Sequence, residues 1–398
     1  MIRQQLRQLR LARGLSLEAL AQQMGGVVTK QALSKYEQGK ANPTPVILTK
    51  LAAALGVKTA DLVRQSSFSV EFIAYRKRAA MGKREQEQMQ SRVAEAVQQR
   101  VRLQQIIGQR GDQHIPIQSL RAETLDDAER AAEQLRQQWN VGVDPIANLT
   151  AVLEDHAIHV VELEADETFD GIAAVARDEE RHVLAATVVT RRGVPGERQR
   201  LSLAHEVGHL VLDPVETLDG EQAAFRFGAA LLAPAQIVLQ RVGVRRGFIQ
   251  LAELILLKQF FGLSIQALLR RLRDLGIITE AYYKQWCIDI NRLGLRRHEP
   301  AELPPEQPQW VRRNVLRAAS EALISAEEAS QLLGEPLDAT EPPMLLQRRA
   351  FLSLPLEERR RILERQAQAL QETYADDPDR DLWQGGDILD DEATPLAW

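Results

Sequence analysis

L-S-L-A-H-E-V-G-H-L-V-L, residues Leu201 to Leu212, is the most informative segment of this sequence. Residues four apart lie on one face of an α-helix, so His205 and His209 fall one turn apart with Glu206 beside them. Neutral imidazole binds zinc, and a catalytic zinc site uses three protein ligands and leaves the fourth position to water. A nearby carboxylate takes the proton of that water as it attacks a peptide carbonyl. The pattern therefore predicts a zinc site with His205 and His209 as ligands and Glu206 as the general base.

The residues between and around the motif predict a buried helix. Most of them are apolar, and Gly208 is a poor helix former, which indicates close packing against another backbone. The alternative is a core helix that carries two histidines by accident. The chain has only seven histidines, and about one chain in a hundred of this size would contain H-E-x-x-H by chance. We therefore prefer the metal site.

A third ligand has to come from farther along the chain. Glu221 to Pro234, E-Q-A-A-F-R-F-G-A-A-L-L-A-P, predicts a second helix that ends at its proline. Glu221 opens this helix and would complete a His, His, Glu set. Asp213, Glu216 and Asp219 in the preceding loop compete with it. An acidic residue at a helix start also favours the helix dipole, so the third ligand stays open from the residues alone.

These two segments resemble the ImmA/IrrE-type metallopeptidase family, whose members are zinc proteases that cleave helix-turn-helix repressors. The resemblance covers E-R-Q-R-L-S-L-A-H-E-V-G-H-L-V-L at Glu197–Leu212 and A-x-x-F-x-A-x-L-L-x-P at Ala224–Pro234. It implies that Glu221 is the acidic ligand, beside the two histidines and the base named above. The sequence departs from the family pattern at Phe225, where Asn is frequent, and at Asp213, where His is frequent.

Residues 3–64 predict five short helices. Ser16 caps the second helix, Gly25-Gly26 makes a turn, and Thr29 caps the third, Lys30 to Gln38. Two helices joined by a tight glycine turn are typical of a helix-turn-helix. The polar residues of the third helix suit a major groove, where Gln pairs with adenine and Lys contacts guanine; the predicted DNA contacts are Thr29, Lys30, Gln31, Ser34 and Lys35.

V-T-K-Q-A-L-S-K-Y-E-Q-G-K-A-N-P-T-P, Val28–Pro45, resembles the phage-repressor (Xre-like) helix-turn-helix family. The resemblance implies binding of double-stranded DNA by a homodimer. The alternative is a protein-binding module, because this fold serves both tasks. Charge favours DNA: residues 1–65 carry ten Lys or Arg against three Asp or Glu, although the whole chain has a net charge of −5.

The middle of the chain predicts two further regions. Phe68 to about Gly111 predicts a charged connecting helix. We interpret its cluster Arg76–Arg78 as a solvated face, and the alternative is contact with the DNA backbone. Ile158–Leu163, Ile172–Ala176 and His182–Val189 are rich in β-branched residues and predict a small antiparallel sheet. An edge strand of that sheet, next to the zinc, would hold an extended substrate. The remaining histidines near these strands are expected to be structural: His156, His159 and His182.

The C-terminal part is again helical. Leu257–Gly276 has the pattern of a second helix-turn-helix, Pro300–Pro308 with its four prolines predicts a stiff linker, and Trp310–Leu333 predicts a small helical pair. Phe351–Ala367 and Trp383–Ile388 resemble the C-terminal segment of small bacterial antitoxins, which implies a toxin partner. Nine acidic residues against one arginine in residues 372–398 suit a tail that folds on contact with its partner. The alternative is a charged tail that binds no partner.

Length and composition limit the number of domains and the class of protein. The chain of 398 residues is long enough for two or three domains, and its one cysteine, Cys287, excludes an internal disulfide and a thiolate zinc cluster. No run of 18 apolar residues and no signal core appear, which predicts a cytoplasmic protein without a membrane segment. We predict a mainly α chain (α+β overall) with these parts: a helix-turn-helix domain (1–66), a charged connecting segment (67–120), a zincin-like α+β peptidase domain with a helical extension (121–298), a Pro-rich linker with a helical pair (299–343) and an acidic antitoxin-like tail (344–398).

The predicted function is a DNA-binding transcriptional regulator with zinc-dependent endopeptidase activity. Its substrate would be a repressor, another partner protein or the chain itself, and cleavage would relieve repression in a stress, mobile-element or toxin-antitoxin response. The alternative is a non-enzymatic repressor or antitoxin whose peptidase fold is structural or sensory. The two differ in whether Glu206 matters for activity.

Overall fold

The structure is a computed structural model that describes residues 2–63, 68–73, 82–109, 115–166, 169, 171–337, 351–352 and 354–375. These residues form 17 helices and six strands, which confirms the mainly helical class with a small sheet. They divide into two units, one ending at Val315 and the other beginning at Leu316. Within the described ranges, no individual helix has both the length and the apolarity to cross a membrane; two bent helix pairs meet these criteria only when each pair is taken together.

The five N-terminal helices predicted from the sequence are confirmed: α1 (Ile2–Ala12), α2 (Leu17–Gln23), α3 (Lys30–Glu37), α4 (Pro45–Leu55) and α5 (Thr59–Val63). The Ser16 hydroxyl accepts a hydrogen bond from the Ala19 N–H at 3.0 Å, and Thr29 accepts one from Ala32 at 3.2 Å. Gly25 and Gly26 both have a φ of 71°, in the left-handed region that favours glycine, so they turn the chain between α2 and α3. Leucines from all five helices form the core of this domain.

A mixed sheet of four strands lies in the middle of the chain, in the order β1-β4-β5-β3. Its members are β1 (Phe68–Phe72), β3 (Ile158–Leu163), β4 (Gly171–Asp178) and β5 (Val183–Arg191), and a separate parallel pair joins β2 (Leu120–Ala122) to β6 (Leu212–Pro214). The prediction of an antiparallel sheet is wrong for β3 and β5, which are parallel. The β4–β5 hairpin folds back so that β5 lies between β4 and β3, and the chain crosses over from β3 to β4.

The helical prediction is also wrong at Phe68–Phe72, which forms the edge strand β1. Phe68 pairs with Asp178 and Phe72 with Ala174 in antiparallel register. F-S-V-E-F alternates apolar and polar residues, and its apolar side chains pack on the sheet core. The cluster Arg76–Arg78 lies outside the described residues.

The sheet lies between two helices, α6 (Lys83–Ile106) and α9 (Gly196–Val211). Ile172, Ala174 and Ala176 share a core with valines of α6, whereas Ala173 and Val175 belong to the core on the α9 side. This alternation is the two-residue period of a strand buried on both faces. The predicted connecting helix thus covers the sheet. It also contacts the helix-turn-helix domain, where Arg13 forms a 3.2 Å salt bridge with Glu95.

Seven further helices contribute apolar residues to the same core as α9: α7 (Leu125–Gln138), α8 (Leu149–Asp155), α10 (Gly220–Leu232), α11 (Ala235–Val242), α12 (Leu251–Phe261), α13 (Ile265–Asp274) and α14 (Glu280–Arg292). The predicted helical pair near the C-terminus is confirmed as α15 (Trp310–Ser320) and α16 (Ala326–Leu333). In the unit that begins at Leu316, α17 (Leu356–Ala375) covers most of the first antitoxin-like segment. The second segment, Trp383–Ile388, lies outside the described residues.

The proline-rich segment Glu299–Gln309, predicted as a stiff linker over Pro300–Pro308, packs along the N-terminal half of α9. The Gly196 N–H donates to the Leu303 carbonyl at 2.8 Å. A Cβ at Gly196 would collide with the Pro304 carbonyl oxygen. The Glu306 carboxylate accepts hydrogen bonds from the Arg200 guanidinium and from backbone N–H groups at the start of α8. Because proline has no N–H, such a segment needs few donors satisfied and can lie flat on a helix.

This segment leads to Trp310, whose ring stands edge-on to His159 with 4.3 Å between centroids. His159 is 1% exposed, and neither ring nitrogen has a hydrogen-bond partner among the described residues. Burial, followed by the positive charge of Arg100, lowers the pKa of His159 from 6.5 to about 3. This agrees with a structural role.

We expect His159 to make the protein less stable in acid. The folded state keeps the ring neutral, while the unfolded state takes up a proton below pH 6.5. The free energy of unfolding should therefore fall by up to about 1.4 kcal/mol per pH unit between pH 6.5 and about 3. Thermal unfolding of the wild type and of His159→Phe over this range measures the difference in slope. Equal acid slopes in the two proteins would contradict the prediction.

Candidate metal centre and recognition helix

Helix α9 brings the two histidines of the motif together as their spacing predicts. The Nε2 atoms of His205 and His209 lie 3.0 Å apart, and the two rings are nearly perpendicular. Both side chains are partly exposed, at 18% and 13%. A ligand can therefore reach both nitrogens from the same side.

Close packing of α9 on α10 brings Glu221 to these nitrogens. A Cβ on Gly208 would lie 3.0 Å from the Ala224 backbone, and one on Gly228 would lie 2.9 Å from the His205 N atom. Gly208 and Gly228 thus let the backbones of α9 and α10 approach each other closely, as the glycine in the motif led us to expect. Glu221 Oε2 lies 3.3 Å from His205 Nε2, and Glu221 Oε1 lies 3.5 Å from His209 Nε2.

The three competing carboxylates have other positions. Asp219 caps α10, where its Oδ1 atom accepts hydrogen bonds from the N–H groups of residues 221 and 222. Asp213 forms a 3.8 Å salt bridge with Arg121. Glu216 is an exposed residue of the loop before α10. Of the four acidic residues considered from the sequence, the structure places Glu221 with the histidines.

The spacing of these ligand atoms fits a metal ion. Two ligands at about 2.0–2.1 Å from a tetrahedral zinc lie roughly 3.3 Å apart, and the three observed separations are 3.0, 3.3 and 3.5 Å. Two imidazole nitrogens and one carboxylate are ligands that suit zinc. His205, His209 and Glu221 are therefore the residues that would hold the ion.

Glu206 follows His205 in α9 and is buried, with 4% of its surface exposed. Its Oε2 atom is buried without a hydrogen-bond partner among the described residues. Gly171 at the start of β4 makes room for it, because a Cβ there would lie 2.5 Å from Glu206 Oε1. Burial and the negative charge of Glu221 raise the pKa of Glu206 well above its ordinary value of 4.5. A nearby cation would favour its ionised form.

A cleft of about 450 Å³ opens beside these residues, lined by Leu201, Ser202, His205, Glu206, Glu221, Gln222, Phe225 and Arg270. β4, the strand that approaches Glu206, pairs with β1 on the side away from β5, and the Ala173 carbonyl accepts a hydrogen bond from the N–H of Ile73. Residues 173–178 of β4 therefore offer no free strand edge to an extended substrate. Sequence patterns identified neither Gly171 nor Arg270 as part of the site; their only signals were a glycine before a strand and an arginine in a basic cluster.

The predicted second helix-turn-helix corresponds to α12 and α13, which bend by 90° at their junction. Both helices bury apolar residues in the core around α9. Arg271 pairs with Glu129 and Arg273 with Asp274. These two guanidinium groups are thus engaged within the domain.

The other predicted histidines lie elsewhere. His156 stacks on Trp139 with 4.7 Å between centroids. His182 lies 3.2 Å from Asp178 in the exposed β4–β5 turn, where Glu180 completes a second group of possible ligands. Exposed groups of this kind are common without a metal.

Helix α3 presents the predicted DNA contacts. Thr29, Lys30, Gln31 and Lys35 are exposed and Ser34 is half-buried, while Leu33 is buried in the core. The Lys30 ammonium lies 2.9 Å from Glu18, and the Ser34 hydroxyl accepts a hydrogen bond from Gln38. Arg10 and Glu37 form a buried 2.6 Å salt bridge that ties α3 to α1. This salt bridge fixes the position of α3 relative to α1.

Comparisons with known families agree with two of the predicted parts, the helix-turn-helix domain and the domain that contains the candidate metal centre. Residues 6–62 match the family model described as Helix-turn-helix. Residues 153–273, which include the candidate metal centre, match a peptidase-family model described as IrrE N-terminal-like domain. No curated protein matches the chain. The chain joins an Xre-type helix-turn-helix DNA-binding domain to an IrrE-like domain of peptidase-type fold.

Proposed function

We propose that this protein is a DNA-binding transcriptional regulator with zinc-dependent endopeptidase activity, which cleaves a repressor-like protein and so relieves repression. The observation that supports it most is the convergence of His205, His209 and Glu221 next to the buried Glu206 on a cleft. A stress, mobile-element or toxin-antitoxin response is the context that we propose. A purely structural helix would not require three ligand atoms close together beside a buried carboxylate.

Each residue has a distinct role in this proposal. His205, His209 and Glu221 hold Zn²⁺, which when bound supplies Lewis-acid polarisation to a peptide carbonyl and to water. Glu206 Oε2 takes the proton that leaves the attacking water and passes it to the departing amine. Leu201 and the Phe225 ring line the cleft and exclude water from the reacting groups.

Mass spectrometry of helix-turn-helix repressors incubated with the purified protein tests the proposal. We expect defined fragments with the zinc-loaded protein, none after chelation, and recovery when zinc is restored. Metal analysis of the same samples should find one ion per chain. Fragments that form equally well after chelation would overturn the metal-dependent mechanism.

We propose that the helix-turn-helix domain binds its operator as a homodimer through Thr29, Lys30, Gln31, Ser34 and Lys35. Gln31→Ala is then expected to weaken operator binding by about 1–3 kcal/mol, the value of one bidentate contact between a side chain and a base. The operator is first selected from random duplexes. Fluorescence anisotropy then measures affinity for the operator and for an unrelated duplex.

Lys50→Gln is the matched control for that experiment, because Lys50 is an exposed residue of α4 rather than α3. We expect the Lys50 side chain to act on the DNA backbone rather than on bases. Removal of its charge should therefore change affinity for both duplexes by the same factor, since a phosphate contact carries no sequence information. If Gln31→Ala also acts equally on both duplexes, α3 does not read bases through this residue.

A second candidate function is a non-enzymatic repressor or antitoxin. Leu352, Leu356 and Leu363 in the antitoxin-like segment are 58%, 57% and 51% exposed, and the last two lie on one face of α17. Such leucines would bind a toxin. Copurification of a toxin whose inhibition is indifferent to Glu206→Gln would support this function over the peptidase.

A further inference from the structure

Arg270 on α13 lies in the wall of the cleft but has no part in the proposed chemistry. Its guanidinium carbon lies 3.7 Å from the centroid of the Phe225 ring, in a cation–π arrangement. The same ring stands edge-on to the His205 imidazole, with 6.4 Å between centroids. Phe225 thus holds a planar cation beside the candidate metal ligands.

No carboxylate in the described part of the chain forms a salt bridge with Arg270. Its Nε atom is also buried without a hydrogen-bond acceptor there. The two other arginines of α13 differ, because Arg271 pairs with Glu129 and Arg273 with Asp274. A buried donor without an acceptor is costly in a folded protein. The Arg270 side chain also lines the cleft, where an anion that enters would supply the missing negative charge.

The chemistry of the cleft favours a carboxylate as this anion. A guanidinium presents its N–H groups as a planar fork that matches both oxygens of a carboxylate. Stacking on Phe225 already restricts the plane of Arg270, so little further freedom is lost on binding. The carboxylates of Glu206 and Glu221 repel a second acid elsewhere in the cleft.

We propose that Phe225 and Arg270 form a subsite that binds an acidic side chain, Asp or Glu, of the peptide substrate beside the scissile bond. The inference rests on the proposed peptidase function, because it names the substrate class of the same cleft. Arg270 is a specificity residue in this arrangement. It contacts the substrate but not the bond that breaks.

A synthetic peptide library tests the subsite, with Glu, Gln or Lys at one position and mixed residues elsewhere. Binding is measured to the zinc-loaded Glu206→Gln protein, so that hydrolysis does not interfere, and turnover is measured with the wild type. We expect Glu peptides to bind about 10- to 100-fold more tightly than Gln peptides, as a hydrogen-bonded charge pair requires. Arg270→Gln should remove this preference, and Arg270→Glu should shift it to Lys peptides.

Arg273→Gln is the matched control, since Arg273 lies on the same helix but pairs with Asp274, and it should keep the preference. Arg270→Lys keeps the charge without the fork and should retain a weaker preference for Glu if Arg270→Gln does not fold. A preference for Glu that survives Arg270→Gln overturns the inference. So does an equal loss of kcat on all peptides, which would assign Arg270 to the transition state.

The two proposals fail in different ways. If the wild type cleaves no peptide while the preference for Glu in binding persists, the peptidase proposal fails and the subsite stands. If peptides are cleaved but Arg270→Gln leaves their ranking unchanged, the peptidase stands and the subsite fails.

Discussion

Glu206→Gln is expected to lower the rate of peptide hydrolysis by about 10²- to 10⁴-fold, the usual contribution of a positioned general base. Glutamine has nearly the size of glutamate, so the packing of this side chain against Gly171 is kept. Its amide cannot take the proton of the attacking water. The three proposed ligands, His205, His209 and Glu221, are untouched, so the metal content should stay at the wild-type level.

Single-turnover cleavage and metal analysis of the same samples measure the two effects separately. Glu216→Gln is the matched control, because it removes an exposed carboxylate of the loop before α10. It should keep both activity and metal, whereas Glu221→Gln should lose both. Cleavage by Glu206→Gln at the wild-type rate would exclude Glu206 as the base.

Lys258→Met is expected to lower the free energy of unfolding by about 3–5 kcal/mol, the usual effect of breaking a buried ion pair. Lys258 is fully buried, and its Nζ atom lies 2.7 Å from Glu197 Oε1 and 3.0 Å from Glu299 Oε2. Methionine would leave two buried carboxylates without a cation. These carboxylates also accept hydrogen bonds from the N–H groups of Leu303 and Ile265. The substitution should therefore also destabilise the proline-rich segment packed on α9 and the start of α13.

Thermal unfolding and amide hydrogen exchange measure this effect, the latter at Leu303 and Ile265. Lys284→Met is the matched control, since its 3.7 Å salt bridge with Glu280 is exposed and should contribute no more than about 1 kcal/mol. Adding Glu197→Gln and Glu299→Gln to Lys258→Met should recover part of the lost stability by removing the buried charges. Equal effects of the two lysine variants would show that the buried triad contributes nothing particular.

Much of the architecture could be predicted because it depends on residues close in sequence. The turn of an α-helix places His205 and His209 on one face whatever surrounds them. Ser16 and Thr29 mark the starts of α2 and α3 through hydrogen bonds with residues three positions away, and Gly25 and Gly26 turn the chain between these helices. The helix-turn-helix domain was therefore readable from short patterns.

Strand pairing could not be predicted in the same way. F-S-V-E-F at Phe68–Phe72 pairs with residues more than a hundred positions away, and an alternating run of five residues is too short to outweigh the helical sequence that follows it. The parallel pairing of β3 with β5 depends on the route of the β4–β5 hairpin. No local pattern contains that route.

The residues of the candidate site fall into the same two groups, those placed by local spacing and those placed by contacts between distant segments. Helical spacing alone was enough for the two histidines and for Glu206 beside them, because one turn of helix sets their separation. The placement of Glu221 rather than Asp213, Glu216 or Asp219 depended on how closely α10 approaches α9 at two glycines. The contact of Arg270 with Phe225, and the packing of the proline-rich segment on α9, depended likewise on contacts between distant residues, which no short pattern encodes.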